Sequence, residues 1–149
     1  MISVDASAAL IANESPRSDD GRPAPRAGHR YVGVFMCGRG PTKLTISIDS
    51  VEAGGPDELT VEARFEFLYD GGDDDEDERG AYRMRGKYEQ KTRRLVLKPE
   101  AWIHEPPGQM MMATRGTIGR TGDTYSGTLE GPSCTTFDTK LDPATGSGH

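Results

Sequence analysis

The stretch Tyr31-Val-Gly-Val-Phe-Met-Cys37 is the first apolar run in the folded part of this chain, and Cys134-Thr-Thr-Phe137 is the last. Cys37 closes the first run and Cys134 opens the last. When an up-and-down antiparallel sheet with an even number of strands closes, the end of its first strand lies beside the start of its last. An odd number would put the cysteines at opposite ends. Their placement predicts a closed barrel in which Cys37 and Cys134 lie within bonding reach, with Cα atoms less than about 7 Å apart.

Between these runs, strand-like segments alternate with turn signals about every 8–12 residues, a spacing typical of all-β sandwiches and barrels. The clearest segment is Leu59-Thr-Val-Glu-Ala-Arg-Phe-Glu-Phe67, in which apolar and polar residues alternate throughout. This alternation is typical of a strand with one buried face. The sequence therefore predicts an all-β fold for residues 31–141, an eight-stranded antiparallel up-and-down barrel or a closed sandwich.

Charge predicts how two long neighbouring strands pair. Placing Glu66 opposite Arg83 and Glu62 opposite Lys87 gives two favourable cross-strand pairs. Exposed pairs of this kind contribute about 0.2–1 kcal/mol each, so the preference for this register is weak.

Two hairpin turns set the register of later strands. The first places Gly86 opposite Leu97, and the turn at residues 120–123 places Gly116 opposite Gly127. These mid-strand glycines are predicted to face inward, where they suit the bends of a small barrel. The space that they leave is either filled by aromatic side chains or left as a pocket. The candidate aromatic side chains are Phe65, Phe67 and Tyr82.

Both ends of the chain are predicted to be flexible. Residues 1–30 are rich in proline, glycine and charge, and residues 142–149 have a similar character. No basic start followed by an apolar core marks a secretory signal. Localisation stays open: extracytoplasmic if the disulfide forms, cytoplasmic if Met1 is the native start and no other export route exists.

Net charge limits the classes of partner. The chain has a formal net charge of −6, which argues against nucleic acid and anionic membranes and suits a basic protein. Its apolar runs are too short for a membrane-spanning helix. The sequence thus predicts a protein partner without nucleic acid or membrane insertion, and it leaves the oligomeric state open.

The acidic segment Asp70-Gly-Gly-Asp-Asp-Asp-Glu-Asp-Glu-Arg79 links two long predicted strands. Its alternate aspartates have the spacing of a calcium loop, but Glu78 stands where an EF-hand needs glycine, so no metal site is predicted. A solvated hairpin tip and an electrostatic contact for a basic protein both fit the segment. The candidate partner-binding residues at this tip are Asp73, Asp74, Asp75, Glu76, Asp77 and Glu78.

The only tryptophan, Trp102, lies between prolines in Pro99-Glu-Ala-Trp-Ile-His-Glu-Pro-Pro-Gly108. A stiff segment with an aromatic side chain is typical of a binding site, so Trp102 is a further candidate for partner contact. The other interpretation is a plug over one barrel end. His104 and Glu105 would point to opposite faces of a strand, so no acid–base pair is predicted. The methionines predicted to fill the core are Met110 and Met112.

Catalytic signatures are missing from the sequence. It contains no Gly-x-Ser-x-Gly elbow, phosphate loop or HExxH motif. Three histidines cannot build a histidine-rich metal site, and two widely separated cysteines do not form a zinc knuckle. The sequence therefore predicts no enzyme and no cofactor.

Two sets of motifs resemble known families. Phe35-Met-Cys-Gly-Arg-Gly40, followed by Leu44-Thr-Ile46 and a late second cysteine, resembles the opening of the membrane-bound C-type lysozyme inhibitors, small bacterial β-barrels. In that family a Ser-Gly loop before a tyrosine enters the lysozyme cleft. The nearest match here is Arg79-Gly-Ala-Tyr82, with Arg79 in place of the serine.

A longer pattern covers most of residues 31–141 and is similar to uncharacterised small domains of bacterial multidomain proteins. This resemblance implies a fold unit and no activity. Its motifs are Leu95-Val-Leu-x-Pro99, Trp102-Ile103, Pro106-Pro-Gly108 and Gly131-Pro-x-Cys134-x-x-Phe137.

Taken together, these features predict a non-enzymatic binding module that recognises a protein through the acidic tip and one barrel end. Lysozyme-type inhibition, which the first resemblance implies, is the sharpest version. The alternative is a small-ligand-binding barrel whose interior is lined by Trp102, Tyr82 and Tyr88. A packed interior would favour the protein partner, and an open cavity of several hundred Å³ would favour the ligand.

Overall fold

The computed structural model describes residues 24–37, 40–69, 78–106, 110–131 and 134–143. Its strands are β1 Arg30–Cys37, β2 Gly40–Gly55, β3 Glu58–Tyr69, β4 Glu78–Glu89, β5 Arg94–His104, β6 Ala113–Ile118, β7 Thr124–Glu130 and β8 Cys134–Leu141. Each strand is antiparallel to the next, and β1 pairs with β8 to close the sheet. The predicted all-β, eight-stranded up-and-down fold is confirmed, and it closes as a barrel.

The up-and-down order gives the barrel two different ends. We call one the tyrosine end, because Tyr31, Tyr88 and Tyr125 lie at or near the strand ends there. The opposite end carries Cys37 and Cys134, and we call it the disulfide end. The connections at the tyrosine end are residues 56–57, 90–93 and 119–123, and the longest ones at the disulfide end are residues 70–77 and 105–112.

A disulfide joins the first strand to the last. Cys37 and Cys134 are paired across the ladder between β1 and β8, with Cα atoms 3.9 Å apart. This confirms the prediction that the two cysteines lie within bonding reach. The bond links residues 97 positions apart in sequence and ties the barrel shut at one end.

Aromatic side chains fill the barrel interior, which is the first of the two alternatives that the sequence left open. Near the disulfide end, the rings of Phe65 and Tyr82 stack with centroids 4.9 Å apart, and Phe67 meets both edge-on. Near the tyrosine end, Tyr31 and Tyr125 meet edge to face at 6.2 Å. Edge-to-face and offset stacked pairs are the favourable arrangements of aromatic rings.

The register between β3 and β4 differs from the charge-based prediction. Glu66 lies opposite Ala81 and Glu62 lies opposite Arg85, a shift of two residues from the predicted pairs. One ion pair remains across these strands at those positions, between Arg85 and Glu62 at 3.6 Å.

Core packing explains the observed register. It sets Phe65 opposite Tyr82, and it sets Phe67 opposite Gly80. A Cβ atom on Gly80 would lie 2.3 Å from the Phe67 ring, so the glycine provides the space that this ring occupies. Burying one large apolar side chain contributes about 1.5–3 kcal/mol, more than an exposed charge pair contributes. The aromatic side chains therefore outweigh the charges in setting the register.

The hairpin predictions for later strands are confirmed. Gly86 lies opposite Leu97, and Gly116 lies opposite Gly127. A Cβ atom on Gly127 would lie 2.1 Å from the carbonyl oxygen of Arg115, so β6 and β7 approach too closely for a side chain there. These glycines permit the close strand contacts of a small barrel.

The described residues include the last part of the predicted arm, residues 24–30. Pro25 is buried, the Gly28 N–H donates to the Ile48 carbonyl at 2.8 Å, and the Ile48 N–H donates to the His29 carbonyl at 2.9 Å. This part of the predicted arm therefore lies against the barrel. Residues 1–23 of the arm, and most of the predicted tail, lie outside the described residues.

Candidate functional site

The tyrosines that the ligand-binding alternative places in the interior are buried and bonded. Tyr82 and Tyr88 have no exposed surface. The Tyr82 hydroxyl donates to the Met112 carbonyl at 2.8 Å and accepts from the Met112 N–H at 2.9 Å. Trp102 is half-buried and meets the Tyr82 ring edge-on at 5.3 Å. Tyr82 and Tyr88 therefore belong to the packed interior, and the Tyr82 hydroxyl has both its donor and its acceptor used inside the protein.

The tyrosines at the other end are equally committed to the fold. The Tyr125 hydroxyl donates to the Leu95 carbonyl at 2.8 Å and lies 2.9 Å from the Thr114 hydroxyl. The Tyr31 hydroxyl donates to the Gly122 carbonyl at 3.0 Å. Burial is the main cause that raises the pKa of both phenols, so they stay neutral at physiological pH. The hydroxyls of Tyr31 and Tyr125 therefore serve the fold.

The acidic segment connects β3 to β4 at the disulfide end. Asp73 to Asp77 lie outside the described residues, and Glu78 is the first residue of β4, paired with Tyr69. Residues 70–78 hold seven carboxylates, and the whole chain has a net charge of −6, so the remaining residues sum to +1. The excess negative charge is therefore confined to one hairpin. We call residues 70–78 the acidic hairpin.

The outer face of β1 is apolar. Val32, Val34 and Met36 point away from the core and are 43 %, 38 % and 41 % exposed. Lys43 of β2 and Asp138 of β8 flank Val34 on its two sides. Outward positions of an antiparallel sheet that faces water are normally polar. We call Val32, Val34 and Met36 the β1 stripe, and contiguous exposed apolar surface of this kind marks interaction sites.

A groove of 390 Å³ begins beside the β1 stripe and crosses the outer faces of β1 to β4 at the disulfide end. Its lining includes the apolar Val32, Leu68 and Ala81 and the basic Lys43 and Arg79. Leu68 and Arg79 lie opposite each other on β3 and β4, one pair before Tyr69 and Glu78, where the paired part of the two strands ends. The groove, which we call the apolar groove, therefore adjoins the base of the acidic hairpin. Its volume lies within the range of about 300–1,000 Å³ that is common for binding pockets.

A polar hollow of 520 Å³ lies further toward the tyrosine end, and we call it the polar hollow. Ser47, Asp49 and Arg64 line it, and Arg64 forms a salt bridge with Asp49 at 3.1 Å. His29 also lines it, and its Nδ1 atom is buried without a hydrogen-bond partner among the described residues. Burial, and to a smaller extent the charge of Arg26, lowers the pKa of His29, so the ring is neutral at pH 7.

The proline-bracketed segment also lies at the disulfide end. Trp102 packs partly against the core there, and its role in partner contact stays a prediction. Met112 is buried as predicted, but the prediction for Met110 is wrong, because this side chain is 61 % exposed. Both methionines precede Ala113, the first residue of β6, so the alternation of a strand does not govern them.

The described residues show no arrangement for metal binding: no three His, Cys, Asp or Glu side chains cluster there in a way that could hold an ion. His104 and Glu105 are exposed. In the part of the chain that the structure describes, no helix is long and apolar enough to cross a membrane.

The segment that matches the inhibitory loop of the lysozyme inhibitors lies inside a strand. Arg79-Gly-Ala-Tyr82 belongs to β4 and pairs with β3. Its tyrosine is fully buried. In this conformation Tyr82 cannot enter the cleft of a partner, so any recognition at this end uses other residues.

The β1 stripe and the apolar groove were not predicted from the sequence. The stripe had a signal, because Tyr31–Cys37 is apolar at outward as well as inward positions instead of alternating. No sequence pattern indicated the apolar groove, because its lining comes from four strands whose twist and spacing cannot be read from the sequence.

No protein-family model matches the chain, and no curated protein matches it.

Proposed function

We propose that this protein is a non-enzymatic binding module that recognises a basic protein partner through the acidic hairpin and the neighbouring apolar surface. The observation that carries the proposal is the placement of three features side by side. At the disulfide end lie the ends of β3 and β4 that the acidic segment connects, the apolar groove beside them and the β1 stripe beside that groove.

Charge and apolar surface have different tasks in this proposal. The acidic hairpin attracts a basic partner over a distance and speeds association, an effect that salt screens. The β1 stripe and the apolar groove then bury apolar surface, which contributes roughly 25 cal/mol per Å² removed from water. Central apolar anchors with a charged surround are the usual anatomy of a protein interface.

The packed interior supports this proposal over the small-ligand alternative. Tyr82 and Tyr88, the side chains expected to line a ligand cavity, have no exposed surface. Tyr82 also has both its donor and its acceptor used by Met112. A ligand would have to displace these contacts before it could enter.

Inhibition of a C-type lysozyme is the sharpest version of the proposal. It draws on the family resemblance, and here the acidic hairpin would take the place of the Ser-Gly loop. A basic C-type lysozyme is therefore the first probe, and a panel of other basic proteins of similar size is the second.

The test measures binding to these probes by titration calorimetry at about 20 mM and about 200 mM salt, between which the Debye length falls from about 20 Å to about 7 Å. One variant carries Asp73→Asn, Asp75→Asn and Asp77→Asn. Its matched control neutralises three exposed carboxylates at the tyrosine end, with Glu52→Gln, Asp57→Asn and Glu89→Gln.

We expect the hairpin variant to lose at least about tenfold in affinity at low salt, and the control to keep wild-type affinity. Equal loss in both variants would reduce the effect to net charge and contradict a role for the hairpin. If lysozyme neither binds nor is inhibited, the inhibitor version is rejected. If no basic protein in the panel binds, the proposed function itself fails.

A further inference from the structure

The apolar groove and the polar hollow form one continuous track. Both are lined by Thr45 and Glu66, which lie directly opposite each other on β2 and β3. The track runs from the pair of Lys43 and Leu68, past Thr45 and Glu66, toward Ser47 of the next pair. These pairs span four residues along the strand, or about 13 Å at a rise of about 3.3 Å per residue. A track of this length suits a linear ligand.

The floor of the track has no free backbone edge. Along the track β2 pairs with β1 and β3, and β3 pairs with β2 and β4. A bound chain therefore cannot add to the sheet as an extra strand, which requires an exposed edge. Side chains have to provide the recognition, so the chemistry at each position along the track decides what binds.

The disulfide-end half of the track selects an apolar side chain. Val32, Leu68 and Ala81 line it, and the β1 stripe continues the apolar surface to one side. Apart from Glu66, which lies where the groove meets the polar hollow, the charged groups that line this half are the cations of Lys43 and Arg79. Because they repel a further cation, a basic side chain of the ligand is disfavoured in this half.

Glu66, at the middle of the track, selects a cation. The outer face of β3 carries three glutamates, and two of them have basic partners: Glu58 pairs with Lys87 at 3.7 Å and Glu62 with Arg85 at 3.6 Å. Glu66 is partly exposed and forms no salt bridge with the residues that the structure describes. It therefore presents an unpaired carboxylate to a ligand.

We propose that this track binds an extended segment of the partner, with a large apolar side chain in the apolar groove and a Lys or Arg side chain on Glu66. The pair of Lys43 and Leu68 and the pair of Thr45 and Glu66 are two residues apart. Alternate residues of an extended chain point to the same side at nearly the same spacing. The recognised motif is therefore an apolar residue and a basic residue separated by one position, and the polar hollow receives the residues that follow.

This inference rests on the proposed function, since it specifies how one segment of the partner is held. The probe is a displayed library of random heptapeptides selected on the full-length protein, followed by the synthetic consensus peptide. We expect enrichment of the apolar-x-basic motif. Replacing its basic residue by Gln, or its apolar residue by Ala, should weaken binding by about tenfold each, as expected for loss of a charge-assisted hydrogen bond or an apolar anchor.

Two protein variants test the same contact from the other side. Glu66→Gln should weaken the consensus peptide by about tenfold, whereas Glu62→Gln, the same change on the same strand outside the track, should leave its affinity unchanged. Glu66→Lys should prefer a peptide whose basic residue is replaced by Glu. Circular dichroism of each variant checks that the barrel is intact.

Selection without an enriched motif, or a consensus peptide that binds wild type and Glu66→Gln equally, would overturn the inference. Failure here combined with salt-dependent, hairpin-dependent binding of a basic protein would leave the proposed function standing without the track. Failure of both experiments would remove both.

Discussion

At the tyrosine end of the barrel the connections are short and the tyrosine hydroxyls are bonded inside the molecule, whereas at the disulfide end the connections are longer and apolar side chains reach the surface. The Tyr31 hydroxyl, for example, holds the turn at Gly122. At the opposite end Met36, Ile103 and Met110 are 41 %, 51 % and 61 % exposed.

This difference indicates that the two ends of the barrel are closed by different interactions. The tyrosine end uses its polar atoms to close the fold. The disulfide end closes with a covalent bond between Cys37 and Cys134, which leaves the surrounding surface and connections available for other contacts. Covalent closure allows this end to carry exposed apolar surface, which works against a stable fold.

Removing the disulfide should have the largest effect on stability. The double variant Cys37→Ala, Cys134→Ala removes the covalent link between two residues that are 97 positions apart in the sequence. The loop-entropy relation gives a loss of up to about 4.7 kcal/mol in the free energy of unfolding. Urea unfolding of oxidised wild type and the variant measures it. A loss below about 1 kcal/mol in the free energy of unfolding would contradict the role assigned to the bond, because a disulfide that closes a loop of this length normally stabilises a protein by more than that.

Alkaline pH should destabilise the molecule through the tyrosine end. Burial raises the pKa of Tyr31 and Tyr125 above the ordinary value of 10.0. Above about pH 10 the unfolded chain releases these protons and the folded chain keeps them, so stability is complete below pH 10 and falls as the pH rises. The slope is about 1.4 kcal/mol per pH unit for each tyrosine, or about 3 kcal/mol for both at pH 11.

Urea unfolding between pH 9 and pH 11 checks this prediction. The variant Tyr125→Phe should lose about half of the pH dependence. A stability that is flat across this range would show that these phenols ionise equally well in the folded protein.

Removing a single tyrosine hydroxyl should show a local effect that differs between the two ends of the barrel. Tyr82→Phe removes both bonds to the backbone of Met112 and should lower the free energy of unfolding by about 1–3 kcal/mol. It should also speed hydrogen exchange of the Met112 amide. Tyr125→Phe should cost a similar amount, because its hydroxyl bonds the Leu95 carbonyl, but should not expose Met112. Unchanged protection of Met112 in Tyr82→Phe would contradict the assignment of these bonds.

The β1 stripe should contribute least to stability. Val34→Thr and Met36→Gln change exposed side chains, so unfolding should shift by no more than about 0.5 kcal/mol. Binding of the basic probe protein should weaken in the same variants. A loss of more than about 1 kcal/mol in stability would show that the stripe belongs to the fold and would weaken its assignment as a contact surface.

The sequence predicted the features that depend on local alternation and on strand count. Leu59–Phe67 indicated its buried face directly, and the positions of Cys37 and Cys134 predicted closure of an even-stranded barrel. The turns fixed the later registers, including Gly116 opposite Gly127.

It failed where the outcome depends on how distant side chains fit together. The β3–β4 register follows from Phe67 filling the space over Gly80, and a register chosen by charge pairs alone does not take this contact into account. The track through Thr45 and Glu66 is formed by the outer faces of four twisted strands together. The residue pattern of any single strand therefore cannot predict it. Residues 73–77, the most conspicuous part of the sequence, lie outside the described residues, so their role stays a prediction.

The proposed function requires that this barrel binds its partner with its outer face and the disulfide end, while its interior serves only the fold. The most direct measurement is the map of backbone amide chemical-shift changes when the isotope-labelled protein is titrated with the selected apolar-x-basic peptide. We expect saturable changes at Lys43, Thr45, Glu66 and Leu68. Changes centred instead on the interior residues around Tyr88 would contradict the claim and indicate a ligand inside the barrel.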